Sequence, residues 1–192
     1  MCKNILNEIL MSPKPSDGIY SLIENGKMQD IIPELLELKG FEQHTPYHDK
    51  DVLDHTMVVL DSIKPELHLR MAALLHDIAK PGCFTMDANG RGHFYGHHIK
   101  SAKESEKILK RLKYDEKFIN EVKILIRFHY IKEVVSSVKE KGIKKLINDV
   151  GEERLDDLLE LIRADMMGKP DIGDMDVVKK LSDLFNEYLH EH

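Results

Sequence analysis

The segment Leu67–Leu75 reads LHLRMAALL, and a histidine and an aspartate follow it directly as His76-Asp77. Leu67, Leu69, Met71, Ala72, Ala73, Leu74 and Leu75 make the run apolar on nearly every face. A helix that apolar is normally buried, so the rest of the chain must fold around it. A buried aspartate costs several kcal/mol unless it is paired, hydrogen-bonded or bound to a metal. The fold is therefore required to supply a partner for Asp77.

The 192 residues are enough for one good core and for no more than two small domains. The pattern predicts helices over about 3–11, 17–25, 29–38 and 51–63. The motif helix follows, from Pro65 to about Lys80. Ser16 or Asp17 is the expected cap of the second helix, and Pro81-Gly82 stops the motif helix. CFTMDANGRGHFYG at 83–96 is the one strand-like piece, and its Asn89-Gly90 signals a two-residue hairpin turn. Helices are predicted again at 97–112, 115–129, 139–149, 152–167 and 175–190. The expected fold class is all-α, a single helical bundle with a small β-hairpin insertion near residues 83–95. The expected division is an N-terminal helical extension over 1–43, a core over 44–167 and a C-terminal helix over 168–192.

Composition narrows the function. A net charge of −6 gives no global electrostatic case for nucleic-acid binding, and no DNA partner is expected. The best local basic patch is KESEKILKRLKYDEK at 103–117, which also reads as an exposed helix supported by spaced charge pairs. Two cysteines, Cys2 and Cys83, without CxxC spacing suit a reduced compartment. No basic region followed by an apolar run opens the chain, and no stretch approaches about 18 apolar residues. The expectation is a soluble cytoplasmic protein with no membrane partner.

Polar groups interrupt apolar helix faces at His55, His76, Asp77, His129 and Asp165, and His97-His98 open a helix after the hairpin. A lone buried histidine is more often a satisfied core residue than a ligand. The order H … HD … H … H … D on helices that must pack together is much harder to obtain by accident. Neutral imidazole with carboxylate suits divalent Mn, Fe, Co, Ni or Zn. His76 and Asp77 do not share one helix face, but both can reach an ion at the edge of the helix end. His55 and Asp165 would complete four protein ligands. An ion so held would activate water and neutralise phosphate charge.

The motifs HTPYHDKDVLDHT at 44–56, LLHDIAKPG at 74–82, GRGHFYGHHIKSA at 90–102, FHY at 128–130 and RAD at 163–165 resemble the HD superfamily of metal-dependent phosphohydrolases. More narrowly, they resemble the HD domain attached to CCA-adding tRNA nucleotidyltransferases and their poly(A)-polymerase-like relatives. The segment 9–43 continues that likeness, which covers about residues 5–167. The nucleotidyltransferase's own signature, a Gly-Ser turn with an Asp-x-Asp pair on a strand, does not precede residue 5. GDMD at 173–176 reads as helix capping. The expectation is an HD part standing alone, without nucleotide addition.

The resemblance implies His55, His76, Asp77 and Asp165 as ligands of a first metal. It implies His97 and His129 as ligands of a second, with Asp77 bridging. His98 is the less favoured ligand. Lys80 resembles the family lysine that neutralises substrate phosphate and is assigned, with Asp77, to catalysis. His48, Tyr95 and His98 are candidate substrate contacts, with Arg91 as a further one. Arg127 and Lys132 flank His129 but read better as a solvated face, and His68, His190 and His192 as surface residues. The implied activity is hydrolysis of a nucleotide-type phosphomonoester or cyclic phosphodiester, with nucleotides or RNA 3′ ends as substrates. The competing reading is a non-catalytic RNA- or partner-binding, or nucleotide-sensing, module.

Overall fold

The apolar run forms α5 (Leu67–Leu75), in which every residue from Leu69 to Leu75 is buried. The computed structural model describes residues 2–45, 50–130, 140–169 and 175–191. Burying each of Leu69, Met71, Leu74 and Leu75 contributes about 2 kcal/mol. The one arginine of the run, Arg70, is buried too. Its guanidinium donates to the carbonyls of Leu10 and Ser12, the latter at 2.7 Å. It thereby satisfies carbonyls left open where the first helix ends.

The other elements wrap α5 to give an all-α fold with one contiguous apolar cluster. In chain order they begin with α1 (Cys2–Leu10), α2 (Pro15–Glu24) and α3 (Met28–Ile31), then a 3₁₀ turn at Pro33–Leu38. Next is α4 (Val52–Ser62), which precedes α5. Strands β1 (Thr85–Met86) and β2 (Gly92–His93) lead into α6 (His97–Arg111) and α7 (Glu116–Phe128). The chain closes with α8 (Glu140–Val150), α9 (Leu155–Met167) and α10 (Met175–Glu191). Helices α4, α7 and α9 all pack on α5, and α6 lies along α7. That arrangement brings the ends of several helices to one place.

Local chemistry explains most boundaries. Asp51 caps α4 by accepting from the Asp54 N–H at 2.7 Å, and Asp115 caps α7 through the Phe118 N–H at 2.9 Å. Three expectations need correction. Ser16 does not cap α2, which starts at Pro15; its N–H and hydroxyl both donate to Asp61, at 3.0 and 2.6 Å. The motif helix stops at Leu75 rather than Lys80, because the next bonds, Ile78 N–H to Leu75 O and Lys80 N–H to Asp77 O, span three residues instead of four. The hairpin turn is not two residues long. The Asp87 N–H donates to Arg91 O at 3.0 Å and the Gly90 N–H to Asp87 O at 3.0 Å, which leaves three residues, Ala88 to Gly90, in the loop with Gly90 at φ +76°. The Asp87 carboxylate also accepts from the N–H groups of Asn89 and Arg91. The strands pair antiparallel, Thr85 opposite His93 and Met86 opposite Gly92. The GDMD segment's first two residues lie outside the described residues. Among the described residues no helix is long and apolar enough to cross a membrane.

Candidate metal centre

Six polar side chains from five helices meet at one buried spot. α4 supplies His55 and the end of α5 supplies His76 and Asp77. The start of α6 supplies His97, the end of α7 His129, and α9 Asp165. All six are buried.

The ring orientations have a common cause. His76 and His129 each stand at the C-cap of a helix, where carbonyls lack a helical partner. Each turns its Nδ1–H back onto the carbonyl three residues earlier, His76 to Ala73 at 2.8 Å and His129 to Ile126 at 2.7 Å. His97 does the same to Phe94 at 2.8 Å, and His55 donates from Nδ1 to Gly168 O at 3.2 Å. A carbonyl only accepts, so each neutral ring keeps its proton on Nδ1 and presents a lone pair at Nε2. All four Nε2 atoms face the two carboxylates.

Asp77 sits at the centre. Its Oδ2 lies 3.1 Å from His76 Nε2 and 3.8 Å from His55 Nε2, whereas its Oδ1 lies 3.4 Å from His97 Nε2 and 3.9 Å from His129 Nε2. Asp165 Oδ1 lies 3.0 Å from His55 Nε2 and 3.7 Å from His76 Nε2. With neutral rings, lone pairs would therefore oppose lone pairs. His76 Nε2 and both oxygens of Asp77 are buried without an aligned hydrogen bond. Lys80 Nζ does stand 2.7 Å from Asp77 Oδ2, a contact of charge rather than of hydrogen-bond alignment. A shared cation resolves such a set, and the nitrogen and oxygen donors suit a divalent transition metal. The geometry groups His55, His76 and Asp165 in one candidate cluster and His76, Asp77 and His129 in a second.

The electrostatics show the same demand for positive charge. Burial opposes protonation of His76, yet Asp77 and Asp165 outweigh it and push the ring up to about 9. Burial lowers His55 and His97, and burial with the neighbouring rings holds His129 well below the usual imidazole range. Burial alone would raise Asp77 and Asp165. The charges of His76 and Lys80 on the first, and of Lys169 on the second, hold both far below the ordinary carboxylate range.

Three participants were not apparent in the sequence. Lys169 Nζ pairs with Asp165 Oδ2 at 2.6 Å, and Gln43 Oε1 accepts from Lys80 Nζ at 2.7 Å. Gly168 presents its carbonyl to His55, and a Cβ there would meet His55 Nδ1 at 2.5 Å. The spacing of Lys169 four residues after Asp165 was the one available signal. Of the candidate substrate contacts, His98 and Tyr95 line the cavity of about 230 Å³ that opens onto Asp77, as do Arg91 and Lys80. His98 is only partly buried, and desolvation lowers its ring to about 4. It stacks on Tyr130. His48 and Lys132 lie outside the described residues. His68, expected as a simple surface residue, is half-buried and bonds Asp157 at 2.8 Å.

The HD domain family matches residues 51–167, which contain all six of these side chains. The chain belongs to the HD domain family, a superfamily of metal-dependent hydrolases. It is 32% identical over 166 residues to the A-adding tRNA nucleotidyltransferase of Deinococcus radiodurans, covering 83% of this chain and 37% of that protein. It is 41% identical over 108 residues to a multifunctional CCA protein of a Janthinobacterium species, covering 54% of this chain and 25% of the relative. A multifunctional CCA protein of Neisseria gonorrhoeae is 29% identical over 168 residues, covering 83% and 40%. The chain thus spans between a quarter and about two fifths of the length of these relatives.

Proposed function

We propose that this chain is a metal-dependent phosphohydrolase acting on a nucleotide-type phosphomonoester or cyclic phosphodiester. The observation that carries the reading is the split of Asp77. One oxygen faces His55 and His76, the other His97 and His129, and neither has an aligned hydrogen bond. His55, His76, Asp77 and Asp165 would hold one divalent ion, and Asp77, His97 and His129 a second. Such ions, when bound, supply Lewis acidity and a water of lowered pKa.

The chain's own residues would do the rest. The carbonyls of Ala73, Ile126, Phe94 and Gly168 hold each imidazole in the tautomer that ligation requires. Lys80 and Lys169 bring two ammonium groups to the wall of the open cavity, one beside each carboxylate. Once the carboxylates engage an ion, these lysines are placed to neutralise non-bridging phosphate oxygens. The names of the relatives support nucleotides or RNA 3′ ends as substrates.

Elemental analysis of the purified protein tests this directly. The same sample is assayed against 2′,3′-cyclic AMP, nucleoside monophosphates and bis-p-nitrophenyl phosphate with added Mn²⁺, Ni²⁺ or Co²⁺. Bound transition metal with turnover is the expected result. Failure to take up any metal would sink the reading. The relatives' names also favour a second reading, a non-catalytic RNA-binding module. Asp77→Ala separates the two: an enzyme loses metal and activity together, whereas a binding module keeps its RNA affinity.

A further inference from the structure

The residues His93, Phe94 and Tyr95 alternate in direction as the chain leaves β2. Phe94 turns inward. Its ring packs on Phe84 at 5.5 Å between centroids and on Phe41 at 6.5 Å, and Lys80 Nζ stands 5.3 Å from it. His93 and Tyr95 turn the other way and lie face to face, with centroids 5.3 Å apart and planes only 5° from parallel. The pair is braced at both ends. The Tyr95 hydroxyl meets His93 Nδ1 at 3.3 Å, and His93 Nε2 meets the Asp87 carboxylate at 3.0 Å. β2 is itself pressed onto the segment that carries the Lys80 partner Gln43. The Gly92 N–H donates to His44 O at 2.8 Å, and a Cβ on Gly92 would meet Gln43 O at 2.2 Å. The stacked pair is thus held in a fixed relation to Lys80 and the histidine cluster.

Tyr95 is nevertheless 71% exposed. An aromatic ring so open adds little to the core, yet its orientation is fixed by stacking and hydrogen bonding. His93 and Tyr95 both line the cavity that opens onto Asp77. His98 and Tyr130 line the same cavity, and His98 stacks on Tyr130 with centroids 5.8 Å apart and planes 21° from parallel. The cavity's lining thus includes aromatic side chains that can take a planar ligand, together with the ammonium groups of Lys80 and Lys169.

We propose that Tyr95, seated on His93, is a stacking platform for the nucleobase of the substrate, whose phosphate lies at the histidine–aspartate cluster. The inference rests on the phosphohydrolase reading and specifies the substrate class: an ester that carries a base beside its phosphate, not a sugar phosphate or an inorganic phosphoester. Stacking is tolerant of base identity, because every base has a π face, so purines are favoured over pyrimidines only by their larger area.

The test compares two probes that share a sugar phosphate and differ in the base, adenosine 5′-monophosphate and ribose 5-phosphate. Calorimetry on the metal-loaded protein measures the affinity of each for the wild type, Tyr95→Ala and Tyr95→Phe. The wild type is expected to prefer the nucleotide by about tenfold. That preference should collapse in Tyr95→Ala and survive in Tyr95→Phe, which keeps the ring. A preference unchanged in Tyr95→Ala, or equal binding of both probes by the wild type, would overturn the platform and leave the phosphohydrolase reading standing. Binding of neither probe would overturn the phosphate site itself. Tyr95 lies on the surface, outside the core, and circular dichroism of each variant checks that it folds.

Discussion

Two regions of this molecule carry the same residue types and differ in what surrounds them. One is the buried meeting of His55, His76, Asp77, His97, His129 and Asp165. The other is a group of Glu66, His68 and Asp157 where α5 begins beside α9. In the second group the partners satisfy each other. His68 Nε2 bonds Asp157 at 2.8 Å, the hydrogen bond raises the His68 pKa, and water reaches all three residues. In the first group every Nδ1 is spoken for by a carbonyl, and the Nε2 atoms and the Asp77 oxygens face one another with no proton between His76 and Asp77 when the rings are neutral. Both groups place histidine and carboxylate at ligand spacing; what separates them is burial and a carbonyl that holds each histidine's Nδ1 proton in the first.

That contrast can be broken at its centre. Asp77→Ala should abolish metal retention and lower any hydrolytic rate by more than about 100-fold, the upper end for removing only an outer partner of a ligand. Inductively coupled plasma analysis and the phosphoesterase assay read both. Retained metal at wild-type stoichiometry would contradict the central role of Asp77.

His97→Ala or His129→Ala should remove one of two bound ions and leave the other. Unchanged stoichiometry of one ion per chain, with unchanged rate, would reduce the centre to a single-metal site. Lys80→Ala should leave metal content intact and lower kcat/KM by about 10²-fold, the scale for losing one preorganised charge partner of a phosphoryl oxygen. Equal kinetics in the variant would remove Lys80 from the chemistry.

Gly168→Ala sharpens the comparison without touching a ligand. The backbone there has φ −74°, which alanine adopts freely, so the effect comes only from the methyl group meeting the His55 ring. Overpacking of that kind costs about 1–3 kcal/mol of stability. Metal affinity should fall by about 10-fold as His55 is displaced. A competition titration with a chromophoric chelator measures it, and unchanged affinity would show that His55 does not depend on that contact.

The smallest effect belongs to the second group. His68→Ala should leave metal content unchanged. The His68 pKa is raised in the folded protein, so the pair's contribution is fully present below the unfolded value of about 6.5 and is lost as pH rises through the folded value. Partial exposure keeps that contribution under about 1 kcal/mol. Urea midpoints of wild type and variant should therefore differ near pH 5.5 and converge near pH 9. A loss of bound metal in His68→Ala would make the two regions alike after all.

Much of the molecule was legible because its causes are local. The apolar run of α5 and the turn that holds Gly90 act over three or four residues; the caps at Asp51 and Asp115 showed only in the structure. The hairpin's loop is one residue longer than the Asn89-Gly90 signal predicts, because Asp87 pairs with Arg91 and, within the loop, Gly90 alone turns left-handed. The motif helix ends earlier than Pro81-Gly82 alone would place it. Pro81-Gly82 marks a stop, but the tightening to three-residue bonds already begins after Leu75.

The sequence by itself determined that a buried aspartate must find a cation or a donor, since an apolar helix cannot carry an unsatisfied carboxylate into a core. It also named the histidines able to meet that need. Only the tertiary structure decided that Asp77 divides its two oxygens between two pairs of rings, that Lys169 and Gln43 join the set, and that the carbonyl of Gly168 orients His55. Those contacts link residues up to 113 positions apart. No local pattern encodes them, because they exist only once α4, α5, α7 and α9 have packed against one another.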